Sequence, residues 1–378
     1  TLILLAVLLT FIQLMTPTVL NVKNLEFLIS NREGSVDEAP VVGRARRAGS
    51  NILESLPAFL ALAILSIVLE VENYNLAMFW LGSRVLYYFT YIFGILYLRT
   101  ILWIVSIFCL FSMAVACCKS LNYFLEDNEK IQYNEQGFII REKQFLADEI
   151  NTFTEILETT VQLAQKKSKS GEEYFLDKKR FVDIDCLTLQ YESKPHENCL
   201  RVIEPAHSVN SDLEILFRDK RLTDPIKSIL SSDSLSLWTD KLNLKRPEIG
   251  SGFGWHQDSP YWVHDSNDVD TLPNVYICLD DAHKSNGCFS VIARSHTNGC
   301  LPGTSDGSQL GGFYTDPRLF DLKNKVDIEA AAGSLIFFNP HIVHGSSPNK
   351  SKNERRAYIV TYQPSDRAML KSGLVKNI

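Results

Sequence analysis

The chain has 378 residues, 38 Lys and Arg against 44 Asp and Glu, a net charge of −6, and 46% apolar residues. That length admits two domains, and the composition divides accordingly: apolar runs dominate residues 1–118, whereas from residue 121 onward the chain reads as a water-soluble domain. Residues 1–120 carry a net +1 and residues 121–378 a net −7, without a basic stripe, which argues against nucleic acid as a partner.

Four apolar runs come first: Thr1 to about Val19, Ile52–Leu69, Leu76–Leu96 and Ile101–Cys118. Each is close to the ~20 residues that a helix needs to cross ~30 Å of hydrocarbon. So little polar surface remains that a water-soluble bundle is disfavoured, and a four-helix transmembrane bundle over residues 1–118 is expected. The chain opens at Thr1, already inside an apolar run, and so reads as trimmed at its N-terminus. Polar residues inside these runs fall on common faces. Arg47, Asn51 and Glu54 share one face of the second helix, which Pro57 should kink, and Arg84, Tyr87 and Tyr91 share a face of the third. They are expected either to satisfy one another within the bundle or to line a polar cleft for an anionic, cysteine-bearing ligand.

The pattern Arg47-x3-Asn51-x2-Glu54-x2-Pro57 with Arg84-x2-Tyr87-x3-Tyr91 resembles the membrane-associated eicosanoid and glutathione metabolism (MAPEG) family. The resemblance implies a homotrimer of four-helix protomers, with glutathione bound between neighbours at these positions and membrane lipids around them. Leu98 stands where that family places a thiol-activating arginine, and Arg99 is one residue beyond.

Residues 119–136 are polar and mixed in charge, and are expected to be a linker. The domain that follows, residues 137–370, opens with a short strand at Gly137–Ile140 and a helical period over Gln144–Gln165. Beyond Arg180, short strands alternate with Gly, Pro, Asn and Asp: Phe181–Ile184, Leu200–Glu204, Ser234–Leu244, Asn274–Leu279, Cys288–Ile292, Ser334–Phe338, Ile342–His344 and Arg356–Tyr362. Many short strands after leading helices predict a jelly roll, that is, a double-stranded β-helix with flanking helices. Eight cysteines without a C-x-x-C pair indicate neither a zinc knuckle nor a redox motif, and read as reduced thiols.

The chemistry concentrates in His256-Gln257-Asp258, answered by His344 and by Arg355 eleven positions later. Two imidazoles and a carboxylate make a facial set of three ligands that leaves positions on an octahedral ion open, as in non-haem Fe(II) oxygenases. Residues i and i+2 of a strand face the same way, so His256 and Asp258 are expected to share a strand face. Arg355 supplies a planar fork for a distal carboxylate. His341 remains the second choice as ligand, and Arg356 replaces Arg355 if the register shifts by one.

The segments Trp255-His-Gln-Asp-Ser-Pro-Tyr-Trp262, Asn286-Gly-Cys-Phe-Ser-Val-Ile-Ala-Arg-Ser-His296 and Gly333-Ser-Leu-Ile-Phe-Phe-Asn-Pro-His-Ile-Val-His-Gly345 resemble the phytanoyl-CoA dioxygenase family over about residues 130–370. That resemblance implies Fe(II), 2-oxoglutarate and O2, with iron on His256, Asp258 and His344 and the distal carboxylate of 2-oxoglutarate on Arg355. Asn243 matches a position that contacts the co-substrate in related hydroxylases, and Trp262 a pocket aromatic.

A membrane-tethered dioxygenase hydroxylating an aliphatic C–H of a small or lipid-like substrate is therefore the leading expectation. The alternatives are a bifunctional protein whose membrane domain is also a glutathione-dependent transferase or peroxidase, and a non-catalytic 2-oxoglutarate-binding module. Arg44, Arg46, Arg47 and Arg99 fall on one side of four spans and Glu70 and Glu72 on the other, which by positive-inside counting places the second domain outside the cytosol. The cytosolic supply of Fe(II) and 2-oxoglutarate argues the reverse, and a multi-pass protein with a cytosolic dioxygenase domain is expected.

Overall fold

The computed structural model describes residues 1–31, 36–69, 71–120, 123–266 and 268–378. Glu70 and residues 121–122 of the expected linker thus lie outside the described residues. The chain forms two compact units, Thr1–Asn122 and Tyr123–Ile378.

The first unit is helical: α1 (Leu2–Leu20), the short α2 (Leu25–Ile29), α3 (Pro40–Val68), α4 (Tyr74–Phe93) and α5 (Leu96–Ser120). Helix α3 begins well before the apolar run predicted it, because Pro40 presets the first turn. Pro57 lies inside that helix, which continues to Val68. Helix α4 stops at Gly94, whose φ of +76° suits glycine. Among the described residues, three of the four long helices, α1, α3 and α5, are long and apolar enough to cross a membrane. Arg84 and the tyrosines of α4 dilute its apolar character. Contacts between helices use small residues, including Ala6, Ala45, Ala48 and Ala63, all buried. A Cβ on Gly49 would meet the Gln13 carbonyl oxygen at 3.4 Å, so α1 and α3 approach closely there. Phe59 and Trp80 stack with centroids 3.9 Å apart, while Leu4, Phe11, Ile67 and Phe108 point outward. Apolar residues outside and small ones inside suit a hydrocarbon solvent.

The second unit starts earlier than expected, because residues 123–136 are part of it rather than linker. Helix α6 (Asp127–Gln136) is opened by a capping box in which the Glu129 side chain returns to the Glu126 backbone. Leu125 and Tyr133 enter the core, and Arg141 clasps Glu129 at 2.6 and 2.7 Å. Two buried apolar residues are too few to give a periodic signal, which is why the stretch reads as linker. At the other end the fold continues past residue 370 to Ile378, where the Leu237 amide donates to Lys376 and the Ile378 amide to Leu235.

The remaining elements, in chain order, are β1 (Phe138–Arg141), α7 (Ala147–Lys167), β2 (Glu172–Leu176), β3 (Lys179–Ile184), β4 (Leu187–Tyr191), β5 (Leu200–Glu204), α8 (Glu214–Phe217), α9 (Lys220–Leu230), β6 (Leu235–Lys245), β7 (Phe253–His256), α10 (Ser259–Trp262), β8 (Asn274–Cys278), β9 (Phe289–Ile292), β10 (Lys325–Ile328), β11 (Leu335–Phe338), β12 (His344–Ser346) and β13 (Arg355–Pro364). They make a nine-stranded sheet in the order β1-β11-β8-β13-β6-β5-β4-β3-β2 and a four-stranded sheet in the order β10-β9-β12-β7, antiparallel throughout. This is the double-stranded β-helix expected.

Alternation along β13 builds both cores at once. Tyr358, Val360 and Tyr362 pack with Phe153, Leu157 and other residues of the larger core, whereas Ala357 and Ile359 join Tyr276, Phe289 and Phe338 between the two sheets. Arg355 lies on the second of these faces. Arg356 lies on the first side, where it pairs with Asp280 at 2.6 Å and Glu158 at 3.0 Å.

Candidate active site

His344 and His256 are 88 positions apart in sequence, yet β12 and β7 pair antiparallel with these two residues directly opposite each other. Their ring centroids are 4.2 Å apart. Each imidazole Nδ1 meets a carbonyl two residues back, Gly254 at 2.7 Å and Ile342 at 3.0 Å. These contacts fix the tautomer with the proton on Nδ1 and leave both Nε2 lone pairs for a metal.

Asp258 reaches the same point by a route different from the shared strand face expected. His256 ends β7, and Asp258 already has helical angles as the N-cap of α10. The turn of the chain, rather than strand alternation, brings the carboxylate round. Gln257 fastens that turn. Fully buried, it donates to the Gly299 carbonyl at 2.8 Å and the His341 carbonyl at 2.5 Å, and accepts from the Leu301 amide at 2.7 Å. One ligand atom from each of His256, Asp258 and His344 lies within 4.8 Å of the others. His341 is outside this cluster, held by the Ser259 hydroxyl at 2.8 Å and Asp270 at 2.5 Å.

Asp258 is 2% exposed, and its oxygens accept from Lys241 at 3.2 Å and Asn274 at 3.0 Å. Burial opposes its ionisation, but the Lys241 ammonium, by its charge and its hydrogen bond, holds the carboxyl below the ordinary range. Burial, and then the neighbouring His344, pushes His256 down to about 3, and burial lowers His344 as well. A carboxylate and two neutral imidazoles are the protonation states that a divalent metal requires.

The cluster opens into a cavity of about 570 Å³ whose walls include Asn243, Trp262, Tyr276, Ser346 and Arg355. Arg355 is 2% exposed, donates from Nη1 to the Tyr276 hydroxyl at 2.5 Å, and keeps a buried Nε without a partner among the described residues. The buried Asn243 Oδ1 likewise has no partner. Orphaned buried polar atoms are costly, and the unmet Arg355 Nε–H is a donor that fits a ligand bearing a carboxylate. Trp262 is buried edge-on against Trp238, with the Lys241 ammonium 5.7 Å from its ring.

Sequence reasoning missed Lys241, Asn274, Gln257, Ser346 and Tyr276. One signal was available: at the end of β6, Lys241, Asn243 and Lys245 alternate with the apolar Leu242 and Leu244. Asn274 and Tyr276 share a face of β8 by the same rule.

In the helical unit, Arg84 is fully buried and donates to Asn51 at 2.9 Å, and Asn51 meets Glu54 at 3.5 Å. The Arg84 guanidinium lies 4.8 Å from the Tyr87 ring, Tyr87 and Tyr91 are 5.4 Å apart, and Arg99 sits 4.7 Å from Tyr91. Five of the six residues singled out there thus form one continuous set between α3 and α4. Arg47 is exposed on α3 outside it.

Residues 133–357 match the family model described as phytanoyl-CoA dioxygenase (PhyH), and residues 1–119 match that of the MAPEG family. A probable alpha-ketoglutarate-dependent hypophosphite dioxygenase of Stutzerimonas stutzeri is 26% identical over 62% of this chain and 77% of its own. A phytanoyl-CoA dioxygenase of Arabidopsis thaliana is 24% identical over 62% of this chain and 87% of its own. Among solved structures, EctD from S. alaskensis with 2-oxoglutarate and 5-hydroxyectoine aligns with a TM-score of 0.50 at 20% identity, covering 65% of this chain and 78% of that one, a likeness of fold. Since the first of these models spans more than half of its residues, the chain belongs to the phytanoyl-CoA dioxygenase family of iron- and 2-oxoglutarate-dependent oxygenases.

Proposed function

We propose that this chain is a membrane-tethered hydroxylase in which His256, Asp258 and His344 hold Fe(II), while Arg355 binds the far carboxylate of 2-oxoglutarate and Asn243 lies beside that co-substrate. The carrying observation is the convergence of three ligand atoms within 4.8 Å beside a cavity that also contains Arg355. Iron with 2-oxoglutarate and O2 would supply C–H oxidation coupled to decarboxylation.

The chain's own groups orient and insulate this chemistry. The Gly254 and Ile342 carbonyls set the imidazoles, Lys241 and Asn274 aim Asp258, and Tyr276 fixes one arm of Arg355. Leu176, Phe181, Trp262, Leu310 and Phe313 line the cavity beside the polar Lys179, Glu204 and Lys371, and the apolar part of the wall favours an aliphatic or lipid-like substrate. The test is 2-oxoglutarate-dependent succinate release with O2 uptake by the purified chain. Loss of both in His256→Ala and Asp258→Ala supports the reading, and turnover unchanged in both would overturn it. Lipid and metabolite profiling for a gain of one oxygen, against His344→Ala, identifies the substrate.

For the helical unit the proposal is a multi-pass anchor that assembles as a homotrimer and leaves the dioxygenase domain in the cytosol. A second reading, glutathione binding at Arg47, Asn51, Glu54, Arg84, Tyr87 and Tyr91, is favoured by a buried Arg84 whose Nε and Nη1 have no partner among the described residues. Calorimetric titration of glutathione into the full chain, compared with Arg84→Gln, tests it; equal heats from the two would dismiss it.

A further inference from the structure

Strand register sets two like charges against each other where Arg355 reaches the cavity. Arg355 of β13 and Lys245 of β6 are direct cross-strand partners, 2% and 0% exposed. Like charges in directly opposite positions destabilise an antiparallel pair, and burial without a counter-charge is worse. Among the described residues no carboxylate forms an ion pair with either. Burial, and then Arg355 and Arg201, pushes the Lys245 amine down to about 5 against the weaker opposing pull of the Glu192 carboxylate.

Lys245 is nonetheless built in. Its Nζ donates to the Ser346 hydroxyl at 2.7 Å, to the Ser347 carbonyl, and to the Gly287 carbonyl at 3.4 Å. Gly287 has a φ of +73°, and a Cβ there would meet Nζ at 2.9 Å. Ser346 lines the cavity. A hydroxyl that accepts from an amine retains one proton to donate, and the group it can serve is a ligand in that cavity. Arg355, with its orphaned Nε, lines the same cavity.

We propose that Lys245 is a positioning residue for the far carboxylate of the co-substrate: acting through Ser346, it turns that hydroxyl into a fixed donor toward the cavity, and its own charge is balanced only when a dicarboxylate is bound. The proposal rests on the reading of the cavity as a 2-oxoglutarate site.

The test uses the full chain in detergent, loaded with Mn(II) as a redox-inert ion, with 2-oxoglutarate affinity and melting temperature measured. Lys245→Met, of similar length and without charge, weakens 2-oxoglutarate binding at least tenfold. It also shrinks the rise in melting temperature that 2-oxoglutarate produces. In turnover with iron the loss falls on KM for 2-oxoglutarate rather than on kcat. Ser346→Ala weakens binding similarly, and the double variant is no weaker than Ser346→Ala by more than twofold, since both act through one hydroxyl. Should Lys245→Met not fold, Lys245→Gln, which keeps a donor but no charge, carries the same affinity and melting comparison. Affinity within twofold of wild type in the Lys245 variant, or multiplicative losses in the double variant, overturns the proposal while leaving the site assignment standing. If wild type fails to bind 2-oxoglutarate, the site assignment falls and this proposal with it.

Discussion

Replacing Gln257 by alanine tests whether the turn between two ligands is held from behind. The side chain is fully buried and satisfies three backbone groups: the Gly299 and His341 carbonyls and the Leu301 amide. Alanine leaves all three unmet. A buried amide without a partner costs about 2 kcal/mol, and each carbonyl about 1 kcal/mol because its second lone pair is more forgiving. The expected loss is therefore about 4 kcal/mol. At roughly 2–4 °C per kcal/mol for a unit of this size, the melting temperature of the dioxygenase unit falls by about 10 °C. Because Gln257 also fixes the angle between His256 and Asp258, metal affinity drops by about 10–100-fold. Tryptophan fluorescence melting and Co(II) titration of the full chain read both effects. A melting shift under about 3 °C with metal affinity unchanged would refute the reasoning, because the turn would then be held by other contacts.

Arg355→Lys preserves charge but loses the planar fork and the bond to Tyr276, and KM for 2-oxoglutarate should rise about 10–100-fold in steady-state assays. Gly287→Ala meets the Ser347 carbonyl oxygen at 2.0 Å from a left-handed φ, so a loss of about 3 kcal/mol or more is expected by thermal melting. Burial works against ionisation of Glu158, but Arg246 and Arg356 hold its carboxyl below the ordinary carboxylate range. A carboxyl depressed in the folded state adds stability above its unfolded pKa and loses it as pH falls through the folded value. Glu158→Gln should accordingly cost about 1 kcal/mol at neutral pH, given its partial exposure, and almost nothing once the pH has fallen below the folded value; a pH-independent difference in melting would contradict the assignment.

Local chemistry made much of this protein legible in its sequence. Apolar runs of membrane length, a spaced His-x-Asp with a later histidine, and an arginine eleven positions on are properties of neighbouring residues, and each is visible along the chain. Strands β3, β5, β6, β8, β9, β11 and β13 announce themselves because apolar residues recur through them. Strands β2, β4, β7 and β10 do not: β2 and β10 are short and largely exposed, β4 is short and alternates with polar positions, and β7 is glycine-interrupted. Helix α6 is hidden for the related reason that only Tyr133 within it is buried.

What the tertiary structure alone decided is which distant residues meet. Register placed His344 opposite His256 and Lys245 opposite Arg355, and strand alternation sent Arg355 to the cavity and Arg356 to Glu158 and Asp280. A sequence fixes the identity and period of side chains, but a slip of one residue in pairing would exchange every inward and outward position. Only the packed sheets choose between those alternatives, because only they decide which face is withdrawn from water.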